Sequence, residues 1–193
     1  MKNFFSPYFP LFFLLAIASC TEKNTESNSS AVTENRDYLV SFEDTITHTF
    51  GFKNQQEEVI IPSGKYAFCF TDTLRTYAVV SAPKEGFVAI DPQGHILYQV
   101  FPFDNGPDPA SDGLFRIIDN HKIGYADVLT GKVVIKPQFS CAFPFENGIA
   151  KVSDNCEHKP DGEYTSWVSD QWYYIDKTLQ KVEKPKWKVR QVQ

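Results

Sequence analysis

The chain writes nearly the same six residues twice, Phe101-Pro102-Phe103-Asp104-Asn105-Gly106 and Phe143-Pro144-Phe145-Glu146-Asn147-Gly148. After each copy, apolar and basic positions alternate in the same way, in Leu114-Phe115-Arg116-Ile117 and in Ile149-Ala150-Lys151-Val152. The copies begin 42 residues apart, whereas Gly113 and Gly148 are 35 apart, so residues 107–113 read as a seven-residue insertion in the first. A fainter copy leads from Gly51-Phe52 through Val59-Ile60-Ile61-Pro62 to Tyr77-Ala78-Val79-Val80, and a partial one is Trp172-Tyr173-Tyr174-Ile175-Asp176. Gly51, Gly86 and Gly124 space these units at 35 and 38 residues. A fixed period of this length marks a repeat architecture, in which a unit too small for its own core buries its apolar face against its neighbours. The phenylalanines of the hexapeptide are expected to form the joint between units.

Within a unit the residues favour strands. Val133-Val134-Ile135 is β-branched and stops at Pro137, which cannot donate to a ladder. Leu129-Thr130-Gly131 and Glu146-Asn147-Gly148 are turn signals, and Ile149 to Val152 alternates as a half-buried strand does. No stretch after Asn35 sustains helical periodicity. The expected fold is all-β: tandem antiparallel β-hairpin or meander repeats of about 35–40 residues, packed into one domain over residues 37–193.

Gly124-Tyr125, Gly131, Val133-Val134-Ile135, Pro137, Phe139 and Phe145-Glu146-Asn147-Gly148-Ile149 together resemble the WG-repeat family of bacterial proteins. In that pattern a Trp-Gly pair leads the first strand. Here the glycine stands without tryptophan in Phe50-Gly51, Glu85-Gly86 and Ile123-Gly124, and Trp172-Tyr173 keeps the tryptophan without the glycine. The resemblance spans about residues 51–185 and implies a β-rich scaffold used as an interaction surface. It implies no catalytic residues.

Residues 1–19 read as an export signal, with Lys2 ahead of an apolar run from Leu11 to Ala18. That run is too short for a bilayer core, which takes ~20 residues. Ile17-Ala18-Ser19-Cys20 resembles a bacterial lipobox, which implies cleavage before Cys20 and a cysteine that carries acyl chains afterwards. Acyl chains anchor through ~0.8 kcal/mol per buried methylene. Thr21 in place of aspartate points, by the same resemblance, to the outer membrane of the bacterial cell envelope. Residues 20–36 are almost wholly polar and are expected to form a disordered tether with an end-to-end span of roughly 20–24 Å.

The formal charge of −5 gives no support to nucleic-acid binding. Besides Cys20 the chain has Cys69, Cys141 and Cys156. Export permits disulfides, and Cys141–Cys156 is the candidate pair; three small buried thiols are the competing reading. Cys156 and His158, with Cys141 able to approach, make three ligands where a structural zinc wants four. A solvated loop histidine is the favoured reading, and no metal or cofactor is assigned. Asp104, Asp108 and Asp112 have the oxygen donors of a cation loop but not its spacing, since Phe115 stands where a closing glutamate belongs.

No nucleophile elbow, phosphate loop or zincin motif occurs, and the four histidines sit in polar or turn contexts, so no catalytic residue is assigned. Trp167, Trp172 and Tyr174 are candidate ligand-facing aromatics, against the reading that such rings fill the last β layer. In the basic tail, Trp187 and Val189 pointing inward with Lys188 and Arg190 outward would suit a protected edge strand. The expectation is a lipid-anchored, non-catalytic binding or scaffold module with an envelope protein or glycan partner. The alternative is an envelope hydrolase with a dispersed active site, whose sign would be His121 and Asp119 converging with a serine or carboxylate in a cleft.

Overall fold

The computed structural model describes residues 37–161 and 164–186. The expected signal, Cys20, the tether and the tail from Trp187 onward lie outside the described residues. Those described form strands and turns, with no helix.

After β1 (Leu39–Asp44) the chain runs through a recurring cycle. A leading strand, β2 (Thr49–Lys53), turns into β3 (Val59–Tyr66); two short pieces follow, β4 (Phe68–Cys69) and β5 (Thr73–Leu74), and β6 (Ala78–Ala82) closes the cycle. The second cycle is β7 (Gly86–Ile90), β8 (Ile96–Val100), β9 (Pro102–Phe103), β10 (Gly106–Pro107) and β11 (Leu114–Asp119). The third is β12 (Lys122–Asp127), β13 (Val133–Phe139), β14 (Cys141–Ala142) and β15 (Ile149–Ser153). A hairpin, β16 (Glu157–Asp161) and β17 (Tyr164–Val168), then intervenes before the partial fourth cycle, β18 (Tyr173–Asp176) and β19 (Lys181–Val182).

Each leading strand lies between the strand that closed the previous cycle and the strand that follows it. The antiparallel ladders β1-β2-β3, β6-β7-β8, β11-β12-β13 and β15-β18-β19 are therefore four versions of one meander. Pairing of Ile117 with Val100 and Ile118 with Gln99 fuses the middle two into a seven-stranded sheet. The fold is all-β with tandem antiparallel repeats, as the sequence predicts.

The structure corrects where the repeat begins. Each leading strand ends in an Asx turn, at Asn54, Asp91, Asp127 and Asp176, whose side-chain oxygen accepts backbone N–H groups two to four residues on. Counted from these turns, Gly51 and Gly124 are equivalent, and the residue between them is Val88 rather than Gly86. The spacing becomes 37 and 36 residues, more regular than the glycines suggested. Gly86 instead opens β7 opposite Ala82, at the end of the β6–β7 turn, where it takes φ +78.

The reason lies in the partner strand. In the first cycle Phe50 pairs with Tyr66 and Phe52 with Ile61, and in the third Ile123 pairs with Phe139 and Tyr125 with Ile135. Each ladder carries a bulge that folds the partner backbone over the intervening glycine. A Cβ on Gly51 would lie 2.5 Å from the Ile61 carbonyl oxygen, and one on Gly124 would lie 2.5 Å from Pro137 N. In the second cycle Val88 and Ala89 pair regularly with Gln99 and Tyr98, so a side chain fits.

The cores follow the same period. Phe52, Ile61 and Tyr66 anchor one cluster with Leu74, Val80 and Val88. Tyr125, Ile135 and Phe139, which are 73 or 74 residues further on, anchor another with Phe145, Val152 and Ile175. A third cluster, built on Val100, Phe115 and Ile117, packs against Tyr77 and Tyr98. Burial of the phenols pushes the Tyr125 pKa far up and raises that of Tyr77, so each serves as a hydrogen-bond donor, to Phe143 O and Val128 O respectively.

The two hexapeptides do not fold alike. In both, the first phenylalanine donates its N–H to the basic residue of the closing strand, Phe101 to Arg116 O and Phe143 to Lys151 O. The turns then differ. In the second copy Asn147-Gly148 forms the two-residue loop between Glu146 and Ile149; its counterpart in the second cycle is Asp112-Gly113, between Ser111 and Leu114. In the first copy Asp104 and Asn105 take positive φ instead, and close the extra β9–β10 hairpin that accommodates the seven additional residues.

Candidate binding site

The closing strands of the second and third cycles place a cation at the same position, Arg116 and Lys151, each over the first phenylalanine of its hexapeptide. The Arg116 guanidinium carbon is 4.0 Å from the Phe101 ring centre, and Lys151 Nζ is 5.3 Å from that of Phe143. Their fates differ. The extra segment brings Asp108 to Arg116, and both side chains are 1% exposed. Asp108 accepts from Arg116 Nε at 3.1 Å and from its backbone N at 2.8 Å, while Nη1 donates to Ala142 O at 3.3 Å. A buried charge needs such pairing and hydrogen bonding to be tolerated.

Lys151 stays half-buried and turns its ammonium towards rings. Its Nζ lies 4.4 Å from the Trp172 ring centre as well as over Phe143. Burial, with a smaller push from Lys184, holds its pKa below the usual lysine value. Across the β15–β18 ladder Lys151 opposes Tyr174, so the two share a face of the sheet. Tyr173 and Ile175, the neighbours of Tyr174, belong to the core on the other face, and Tyr173 donates to Asp154 Oδ1 at 2.8 Å.

Phe143 is the floor of this corner. The ring centres of Trp167 and Trp172 are 5.3 Å and 5.4 Å from it. Trp167 also meets Phe101 edge-on at 5.9 Å, so one indole touches the first phenylalanine of both hexapeptides. The expected joint therefore exists, and it is closed by a ring from the β16–β17 hairpin. Trp167, Trp172 and Tyr174 are all half-buried, neither sunk in the core nor fully in solvent. Sequence reasoning missed Lys151 and the role of Phe143. The signal was the repeat itself, which aligns Lys151 with Arg116.

Beside the indoles, Cys141 and Cys156 are joined by a disulfide, with Cα atoms 6.0 Å apart, and Cys69 is a buried free thiol. His158 packs its ring 5.9 Å from Trp167, and its Nε2 is 3.9 Å from Cys141 Sγ. A recess of about 290 Å³ lies between the hexapeptides, lined by Phe103, Ser111, Pro144, Phe145 and the Asp108–Arg116 pair.

The other sequence candidates fall elsewhere. Asp119 and His121 sit at the exposed β11–β12 turn, where Asn120 and His121 both take positive φ; the structure does not draw them into that recess. Of the three loop aspartates, Asp108 is committed to Arg116, and Asp112 accepts from Gly148 N and lies 3.5 Å from Lys177. His48 and His95 bond Glu43 and Asp91 on the surface.

No curated protein and no solved structure matches the chain. Residues 123–155 match the family model described as WG containing repeat, a stretch that begins in β12 and runs just past β15. Ile123, buried in the core, stands where that repeat's name-giving tryptophan would stand, and counting from the Asx turns puts Trp172 at the same position one cycle later. The third cycle of this chain is thus similar to a repeat of the WG type.

Proposed function

We propose that the protein is a lipid-anchored lipoprotein of the bacterial envelope, held at the outer membrane through Cys20, whose β-repeat domain binds a partner without turnover. The observation that carries the binding reading is the ammonium of Lys151 between Trp172 and Phe143, flanked by Trp167 and Tyr174. Half-buried indoles contribute apolar area at small entropic cost, and a partly desolvated lysine adds attraction for an anion. Such a face suits an acidic segment of an envelope protein or an acidic glycan. The repeat match supports a scaffold role, and the lipobox-like segment at Cys20 supports the anchor.

The test is crosslinking of the protein in intact cells, comparing wild type with Cys20→Ala, Lys151→Ala and Trp172→Ala. One reproducible protein or glycan adduct, lost with Cys20→Ala and weakened in the two surface variants, is the expected result. An adduct unchanged in both surface variants would remove the corner from the proposal, and one unchanged in Cys20→Ala would remove the anchor.

A further inference from the structure

Three soft ligands gather at the edge of the aromatic corner. Cys141 Sγ, Cys156 Sγ and a ring nitrogen of His158 all lie within 4.8 Å of one another. We propose that this group is a redox-gated site for a thiophilic d10 cation such as Zn²⁺, closed while Cys141 and Cys156 are bonded to each other and opened by their reduction.

Each ligand is held by a different element. Cys141 is buried in β14, opposite Ser153. Cys156 follows a turn braced by Ser153 and Ser169, whose hydroxyls both donate to Asn155 O at 2.7 Å. His158 lies in β16 directly across from Trp167. Three independently held ligands are what a pre-organised site requires.

The distances fit. Zn–S near 2.3 Å and Zn–N near 2.05 Å in a tetrahedral shell put sulfur and nitrogen about 3.6 Å apart and two sulfurs about 3.8 Å apart. Cys141 Sγ and His158 Nε2 already stand at 3.9 Å. The sulfurs must part from bonding distance, and Cys156, half-buried at the surface, is the less enclosed of the two. His158 is exposed, which leaves a fourth position to water. Two thiolates and an imidazole select zinc or cuprous ion over magnesium or calcium, which want oxygen.

The chemistry balances. A dithiol reductant delivers two electrons and two protons to the Cys141–Cys156 bond and is itself oxidised to a disulfide. The cation then displaces the two thiol protons to solvent as two S–metal bonds form. In the oxidised protein each sulfur is spent on the other, so the site cannot take the ion.

The test uses the full chain carrying Cys20→Ala, reduced with a phosphine that is then removed, and titrated with Co²⁺ as a coloured stand-in for zinc. The reduced protein is expected to take one equivalent with thiolate-to-cobalt absorption, and the oxidised protein none. Cys156→Ser should abolish the band, and His158→Ala should weaken binding at least tenfold. Because His158 is exposed, its replacement leaves the fold intact even if a cysteine variant does not fold. No thiolate band in the reduced protein, a band that survives Cys156→Ser, or unchanged affinity in His158→Ala would each overturn the proposal.

Discussion

Arg116 and Asp108 form a buried ion pair in which one carboxylate binds both the side chain and the backbone of the same arginine. One repeat position thereby has two outcomes. Where seven extra residues supply Asp108, the cation is buried against Phe101; in the next cycle Lys151 stays near the surface and faces Trp172. Replacing Arg116 by methionine leaves Asp108 uncompensated and should cost about 3–5 kcal/mol, as breaking a buried pair does. The double variant with Asp108→Leu should recover part of that loss, and urea unfolding of the four proteins measures the coupling. Additive losses would show that the pair is not buried as described.

Gly124→Ala drives a Cβ into the backbone of β13 and should destabilise by about 1–3 kcal/mol. Gly51→Ala should behave alike for the same reason. Val88→Gly, at the equivalent unbulged position, gains nothing and should lose the burial of a core valine. Thermal melts of the three variants decide whether the bulge explains the glycine.

The Asx turns make an acid-sensitive feature. Hydrogen bonds from the Thr130 side chain and backbone hold Asp127 below its usual pKa, and the Thr178 side chain leads the same effect at Asp176. Burial raises Asp91, but bonds from His95 and Gln93 outweigh it. Carboxylates depressed on folding add stability that is complete above their unfolded pKa of about 3.9 and fades as pH falls through the lower folded values. Asn54 fills the same seat in the first cycle, so Asp127→Asn should keep the turn while flattening the pH dependence below about 4. Acid titration followed by tryptophan fluorescence reads this, and an unchanged acid midpoint would count against it.

The Cys141–Cys156 bond closes a loop across 15 residues of sequence. Chain entropy assigns a loop of that size about 3 kcal/mol. Reduction should lower the unfolding midpoint accordingly, and Cys69→Ala should leave the reduction-dependent shift in place. A midpoint indifferent to reductant would argue that the bond contributes nothing to stability.

Strand content, the tandem antiparallel repeat and the turns at Gly131 and Asn147-Gly148 were legible in the sequence, because β-branched triplets and turn residues act over a few residues. The alignment of units was less so. Identity between the hexapeptides points to one turn, yet Asp104-Asn105 and Asn147-Gly148 close different loops. Gly86 resembles Gly51 and Gly124 as a letter, but a glycine with positive φ at the start of a strand and a glycine under a bulge are required for different reasons.

By itself, then, the sequence determined the local grammar: which residues extend, which turn, and that the pattern recurs. Only the tertiary structure decided the corner. That Trp167 closes both hexapeptides, that Arg116 is buried while Lys151 stays near the surface, and that Cys141, Cys156 and His158 meet all depend on a hairpin and an insertion lying outside the period. Contacts across tens of residues are set by how sheets stack to bury apolar area, and that information is spread over the whole chain.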